Sequence, residues 1–383
     1  RIEAFGEPQR YKDIMGRIDL RSQSLDLLRF PLAVVVLTIH IFSTEGITFQ
    51  GTTSNFEDYP FFMEVNRFID GFFRGQSVPI YCFISGFVFF LGVEMTRETY
   101  IRKFKNRVKT LLVPYLIWNF FAILLLIVTI YSPFNQYKAH PAEFTPSLQG
   151  FLSAFWVYHG QLEGTIIEDS FPLNKPLWFV RNLILVVLCT PFIHYLLKRT
   201  GYYLVILLGC IWFFSPLFHI RTYLLDVTFF FFVWGAYMSI NKKDMLDVFG
   251  RFFKVSVILY IALGVVHVFA AHYYPDLTGI IKRINILVGL LFAYNLSAWL
   301  LKNGICKVNA FLASASFFIY VSHGLISGKI LKLAYVAIRP ASSISLLAVY
   351  ISVIIITVGL LLLTFYLLRR YAPETLKVIA GRK

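Results

Sequence analysis

The 383-residue chain is 57% hydrophobic and only 15% charged, with a mean hydropathy of +0.67; an ordinary soluble domain carries roughly 25% charged residues. Long apolar runs recur from end to end, which excludes a soluble globular protein and predicts an all-α, polytopic membrane helix bundle. The formal charge of +15 is explained by basic connections on one side of the bilayer rather than by nucleic acid, and the scattered Cys82, Cys189, Cys210 and Cys306 have neither CxxC nor metal spacing.

Residues 1–24 are polar and basic, lack a short apolar core, and read as a cytoplasmic segment rather than a cleavable signal. About ten apolar runs follow, at 25–43, 78–95, 111–132, 177–197, 202–219, 223–240, 255–272, 280–301, 308–328 and 343–368, each near the length of a membrane helix. The fifth and sixth are short, and Phe229–Phe232 makes the sixth aromatic, so they are expected to form a tight hairpin. Residues 25–368 therefore form one transmembrane domain, and 369–383 a cytoplasmic tail.

Alternate connections separate by charge. Arg10, Lys12, Arg17 and Arg21 precede the first span, Arg97–Lys109 the third, and Lys198–Arg199, Lys242–Lys243, Arg251, Lys254, Lys302, Lys307 and Arg369–Arg370 continue the series on the same side. The positive-inside rule makes that side, and both termini, cytoplasmic. The longest connection on the other side, about 133–176, contains Trp156, Tyr158, His159, Glu163, Glu168 and Asp169; its length marks it as a candidate functional segment.

The first span carries the most informative pair. Arg29 and His40 are eleven positions apart in LDLLRFPLAVVVLTIHIF, which is about three turns plus 20°, so both project from nearly one face about 16 Å apart along the axis. A cation and an ionisable ring inside a span carry a large desolvation penalty and usually mark function. Arg29 can also snorkel to the interface, and His40 can satisfy a polar bundle contact. Asp26 is placed to orient Arg29 as an i,i+3 partner.

Other motifs support two readings each. Ser85–Gly86 in PIYCFISGF allows close helix approach, while a serine nucleophile would need a base within reach. Arg102, Lys103, Lys105, Arg107 and Lys109 before the third span form either a solvated basic loop or a phosphate-holding site. In PLWFVRN, Trp178 suits an interfacial anchor or a sugar platform, and Arg181 needs a partner or a wet cavity. His323 in FFIYVSHGL is a structural hydrogen-bonding group or a catalyst. His194, His219, His267 and His272 read as structural, and His140 and His159 as loop residues.

Taken together, LDLLRFPLAVVVLTIH, FISGF, RVKTLLVPY, PLWF and IYVSH resemble the landmarks of the membrane-bound acyltransferase-3 family, with Asp26, Arg29 and His40 at its Arg–x10–His signature. Thr110 stands where the family often has a second arginine, which argues against a paired-arginine role there. The chain is similar to stand-alone integral-membrane O-acetyltransferases of bacterial surface polysaccharides, without an appended periplasmic hydrolase-like domain. The resemblance implies transfer of an acyl group, acetyl by default, from cytoplasmic acyl-CoA to a hydroxyl of a glycan or lipid-linked saccharide at the outer face of the bacterial inner membrane. On that reading Arg29, Asp26, Ser85, Arg102, Lys103 and Arg107 hold acetyl-CoA. His40 is the general base, with His323 and Arg181 assisting, and Trp178 and Arg181 meet the acceptor; no metal is required. The rival readings are a transporter or flippase, which would release no CoA, and a non-catalytic scaffold, which would tolerate loss of Arg29 and His40.

Overall fold

The computed structural model describes residues 7–42, 47–49, 52–53, 55–132, 148–157, 161–162, 165–166, 171–218 and 225–381. The expected Tyr158, His159, Glu163, Glu168, Asp169, His140 and His219 lie outside the described residues, as do the last two residues.

All of the apolar runs become helical. Among the described residues, six helical stretches are long and apolar enough to cross a membrane, Asp19–Phe42, Arg97–Tyr131, Phe253–Tyr273, Pro275–Lys302, Ala310–Ile338 and Ser343–Tyr371. The remaining runs give shorter helices: α3 (Ser77–Phe90), α9 (Tyr202–Phe214) and α10 (Leu225–Ile240). The expected span at 177–197 is α7 (Trp178–Leu188) and α8 (Thr190–Thr200), bent by 63°. Pro191 explains the break: it has no N–H for the Val187 carbonyl, which the Thr190 hydroxyl serves instead at 2.6 Å. Among the described residues, extended structure is confined to two antiparallel ladders with two-residue strands.

The first helix, α1 (Glu7–Phe42), runs through the bundle against α13 (Thr278–Lys302) and α14 (Ala310–Ile338). α3 packs along α10 with their backbones in contact. A Cβ on Gly86 would collide with the Phe232 carbonyl, and one on Gly235 with the Phe83 carbonyl. Ser85–Gly86 thus serves close helix approach, the small-residue packing that substitutes for hydrophobic drive within a bilayer.

α4 (Arg97–Arg107) joins α5 (Val113–Tyr131) through a π turn at Val108–Leu112, closed by the Val113 N–H on the Val108 carbonyl. Pro114 again supplies the reason, because it cannot donate to the Thr110 carbonyl one α-turn back. The tail is no free extension: α15 (Ser343–Tyr371) ends and α16 (Pro373–Ile379) turns back into the bundle. Leu376 and Ala380 are buried, the Trp118 indole donates to the Ile379 carbonyl at 2.8 Å, and Gly381, at φ +58, abuts Thr110.

The connection before α7 folds inward. Ala154 and Leu173 are buried against Ala122, Ile123 and Leu126 in the middle of α5. Irregular backbone at that depth survives only where protein groups satisfy it, and this requirement fixes the role of several polar side chains below.

Candidate active site

α1 lines two cavities, one with Arg29 and the other with Val36, Ile39 and His40. Arg29, ion-paired to Asp26 at 3.1 Å, lines a cavity of about 430 Å³ together with Ser85, Arg107, Thr110, Ser314 and Ser316, and Ala380 and Gly381 form part of its wall. The π turn follows Arg107 directly, and local π geometry recurs at functional sites. Two guanidiniums among hydroxyls fit an anion that bears phosphate.

The other basic residues expected here do not line this cavity. Arg102 is exposed. Lys103 donates to the Phe89 carbonyl, its ammonium 4.9 Å from the Phe89 ring centroid. It thereby satisfies a carbonyl of the last turn of α3, where a cation is favoured.

His40 lines a second cavity, of about 460 Å³, with Pro79, Pro176, Trp178, Trp212, Lys282 and Arg283. Its ring lies 5.3 Å from that of His323, centroid to centroid. Buried His323 has Nδ1 2.8 Å from the Tyr320 carbonyl and 3.2 Å from that of Ile319. Carbonyls only accept, so Nδ1 carries a proton and, in the neutral ring, the lone pair is on Nε2. That Nε2 is buried with no hydrogen-bond partner among the described residues.

Tyr320 is shared by the two cavities. Its hydroxyl donates to the Pro176 carbonyl, and its ring stands 6.3 Å from that of Tyr81, whose hydroxyl donates to the Arg29 carbonyl at 2.6 Å. Arg29 and His40, expected on nearly one face of α1, thus line two different cavities, with Tyr320 in the wall of both. Tyr81 and Tyr320 were not singled out by sequence reasoning. The signal available for Tyr320 was its position one helical turn before His323.

The cations of the second cavity are held in place. Asp70 on α2 (Pro60–Phe72) receives Lys282 Nζ at 2.8 and 2.9 Å, lies 2.9 Å from His267 Nε2, and pairs with Arg74. Arg283 donates to the Trp212 carbonyl with its guanidinium 5.1 Å from that ring.

Arg181 lines neither cavity. It is buried, donates to the Trp156 carbonyl at 2.5 Å and to Asn182 Oδ1 at 3.0 Å, and lies 5.1 Å from the Trp156 ring centroid. Asn119 and Asn174 serve the same segment: Asn174 N–H donates to Asn119 Oδ1 at 3.3 Å, and the Asn174 amide to the Val321 carbonyl at 3.0 Å. Arg181 thus supplies donors to the inward-folded backbone and lies outside the lining of both cavities. Trp178, by contrast, lies beside His40 in the second cavity.

Comparison with known proteins follows the same division of the chain. A family model described as an acyltransferase domain matches residues 22–366. The succinoglycan biosynthesis protein ExoH of Rhizobium meliloti (strain 1021) is 24% identical over 371 residues, covering 94% of this chain and 92% of that relative. No solved structure matches the chain. The match takes in all of the lining of the second cavity and that of the Arg29 cavity apart from Ala380 and Gly381, and the chain belongs to the membrane-bound acyltransferase-3 family as an integral membrane acyltransferase.

Proposed function

We propose that the enzyme moves an acyl group, acetyl by default, from acyl-CoA to a hydroxyl of a polysaccharide or its lipid-linked precursor, in the cytoplasmic membrane of a bacterium. The observation that carries this reading is the pair of cavities meeting at Tyr320, one with two guanidiniums and the other with two imidazoles beside it. Arg29 and Arg107 take the phosphates of the donor from the cytoplasmic side, and the thioester arm passes Tyr320 toward His40. A sugar ring on Trp178 presents its hydroxyl. His40 removes the hydroxyl proton as the C–O bond forms, the C–S bond breaks, and the thiolate leaves and is protonated to free CoA. His323, fixed through Nδ1, shares the proton load through Nε2. The printed name of the ExoH relative supports a polysaccharide acceptor. The acyltransferase family supports this reading over a transporter or a scaffold.

The test is thiol release from acetyl-CoA by purified enzyme with a surface polysaccharide acceptor. Acceptor-dependent release that disappears in His40→Ala is expected. Near-normal turnover in a folded His40→Ala protein removes the base assignment, and movement of acceptor without thiol release removes the reaction.

A further inference from the structure

A third cavity, of about 730 Å³, lies on the other side of α3 and has no part in the reaction above. α3 turns Tyr81, Ile84, Ser85 and Val88 to the Arg29 cavity and Phe87 and Phe90 to this one, with Leu91 just past its end, and no residue lines both. Its charged lining comprises Arg21, Lys198, Lys242 and Lys243, with His194 alongside and Glu94 as the one carboxylate. Among the described residues none of these four cations is in an ion pair. Arg21 and Lys243 rest on the rings of Phe87 and Tyr237, at 5.6 and 4.8 Å.

Two further features mark a built site. Ser239 lines the cavity, is 9% exposed, and its hydroxyl has no hydrogen-bond partner among the described residues. Lys242 occupies the helix-end position at φ +52, where glycine is the ordinary residue. Its N–H bonds the Ser239 carbonyl and that of Lys243 the Met238 carbonyl, so a lysine is held at a strained position that also places it in the cavity lining.

We propose that this cavity binds a phosphate-bearing anion separately from the acyl donor, and that the anion is the headgroup of a negatively charged phospholipid. The excess of cations over Glu94 selects an anion, and the phenylalanine walls favour a ligand with an apolar continuation. Neighbouring α8 and α9 leave Phe192, Tyr195 and Tyr203 exposed, a surface suited to acyl chains. A basic pocket between membrane helices at the lysine-rich end of a bundle is the arrangement that takes anionic headgroups.

The experiment follows the melting temperature of purified wild-type protein in neutral detergent as phosphatidylglycerol, phosphatidylcholine or sodium pyrophosphate is added. Phosphatidylglycerol is expected to raise it by about 5 °C and phosphatidylcholine to leave it unchanged. The variant Lys198→Gln with Lys242→Gly should lose that rise while keeping its KM for acetyl-CoA; glycine relieves the strain at 242. Arg21→Gln alone should weaken the rise if the double variant does not fold. A shift with pyrophosphate that the variant abolishes supports the phosphate site and assigns a water-soluble source. No shift with either anion, an unchanged shift in folded variants, or a raised KM for acetyl-CoA overturns the proposal.

Discussion

His323 presents its ring 5.3 Å from that of His40 while its Nδ1 is committed to backbone carbonyls of its own helix. The ring is therefore oriented by α14 and its remaining nitrogen is the only one available for chemistry. Replacement by asparagine keeps a donor near Nδ1 and removes Nε2, whereas glutamine does the reverse. His323→Asn should melt like wild type yet lose roughly tenfold or more in kcat, and His40→Ala should lose about 10²–10⁴-fold, the usual contribution of a positioned base. Steady-state kinetics beside circular-dichroism melts check both, and full activity in His323→Asn assigns His323 to packing alone.

Tyr320 separates the two cavities, so its size matters more than its hydroxyl. Tyr320→Phe leaves the Pro176 carbonyl without its donor, a loss of about 1 kcal/mol, and should keep transfer within several-fold. Tyr320→Ala joins the cavities and admits water to the thioester. It should raise acceptor-independent CoA release while lowering acylated product. Parallel measurement of thiol and product separates these outcomes.

Arg29 and Arg107 line one cavity and Lys103 does not. Removing a charge-assisted hydrogen bond costs about 1.5–3 kcal/mol, so Arg29→Ala and Arg107→Ala should each raise KM for acetyl-CoA roughly 10–100-fold. Lys103→Ala should lower the melting temperature with little change in KM. Equal KM effects from all three would return Lys103 to the donor site.

Arg181 supplies donors to the inward-folded segment. Arg181→Ala removes the charged donor to the Trp156 carbonyl, costing about 1.5–3 kcal/mol. The folded fraction should retain its KM for acceptor, and the melting temperature should fall. A large acceptor KM effect with unchanged stability would restore the substrate-binding role.

Asp70 is the common partner of Lys282, Arg74 and His267. Asp70→Asn leaves these groups without a compensating carboxylate; the network is only partly buried, and losing its charge-assisted hydrogen bonds costs about 1.5–3 kcal/mol. Loss of yield and of detergent stability is expected, and Asp70→Glu should recover part of it.

Apolar run length carried the helices into view, and the Arg29–His40 spacing placed two cavity-lining side chains on one element without any tertiary knowledge. Pro114 and Pro191 were also readable as interruptions, because a missing N–H is a local property. Arg181 in an apolar run and Lys103 in a basic one share a limit: a cation near apolar surface announces that something must be satisfied, but not whether that is a ligand or a nearby carbonyl. The partition at Tyr320 depends on α1, α3, α7 and α14 meeting at one point, which no local pattern encodes. The Asp70 network likewise joins residues about 200 positions apart.

The return of α16 against Thr110 has a bearing on biogenesis. Ala380 and Gly381 are translated after every other wall of the Arg29 cavity. A nascent chain already threaded into the bilayer still lacks this part of the cavity wall, so the Arg29 cavity takes its final shape only once synthesis has run past α15 and α16 has docked.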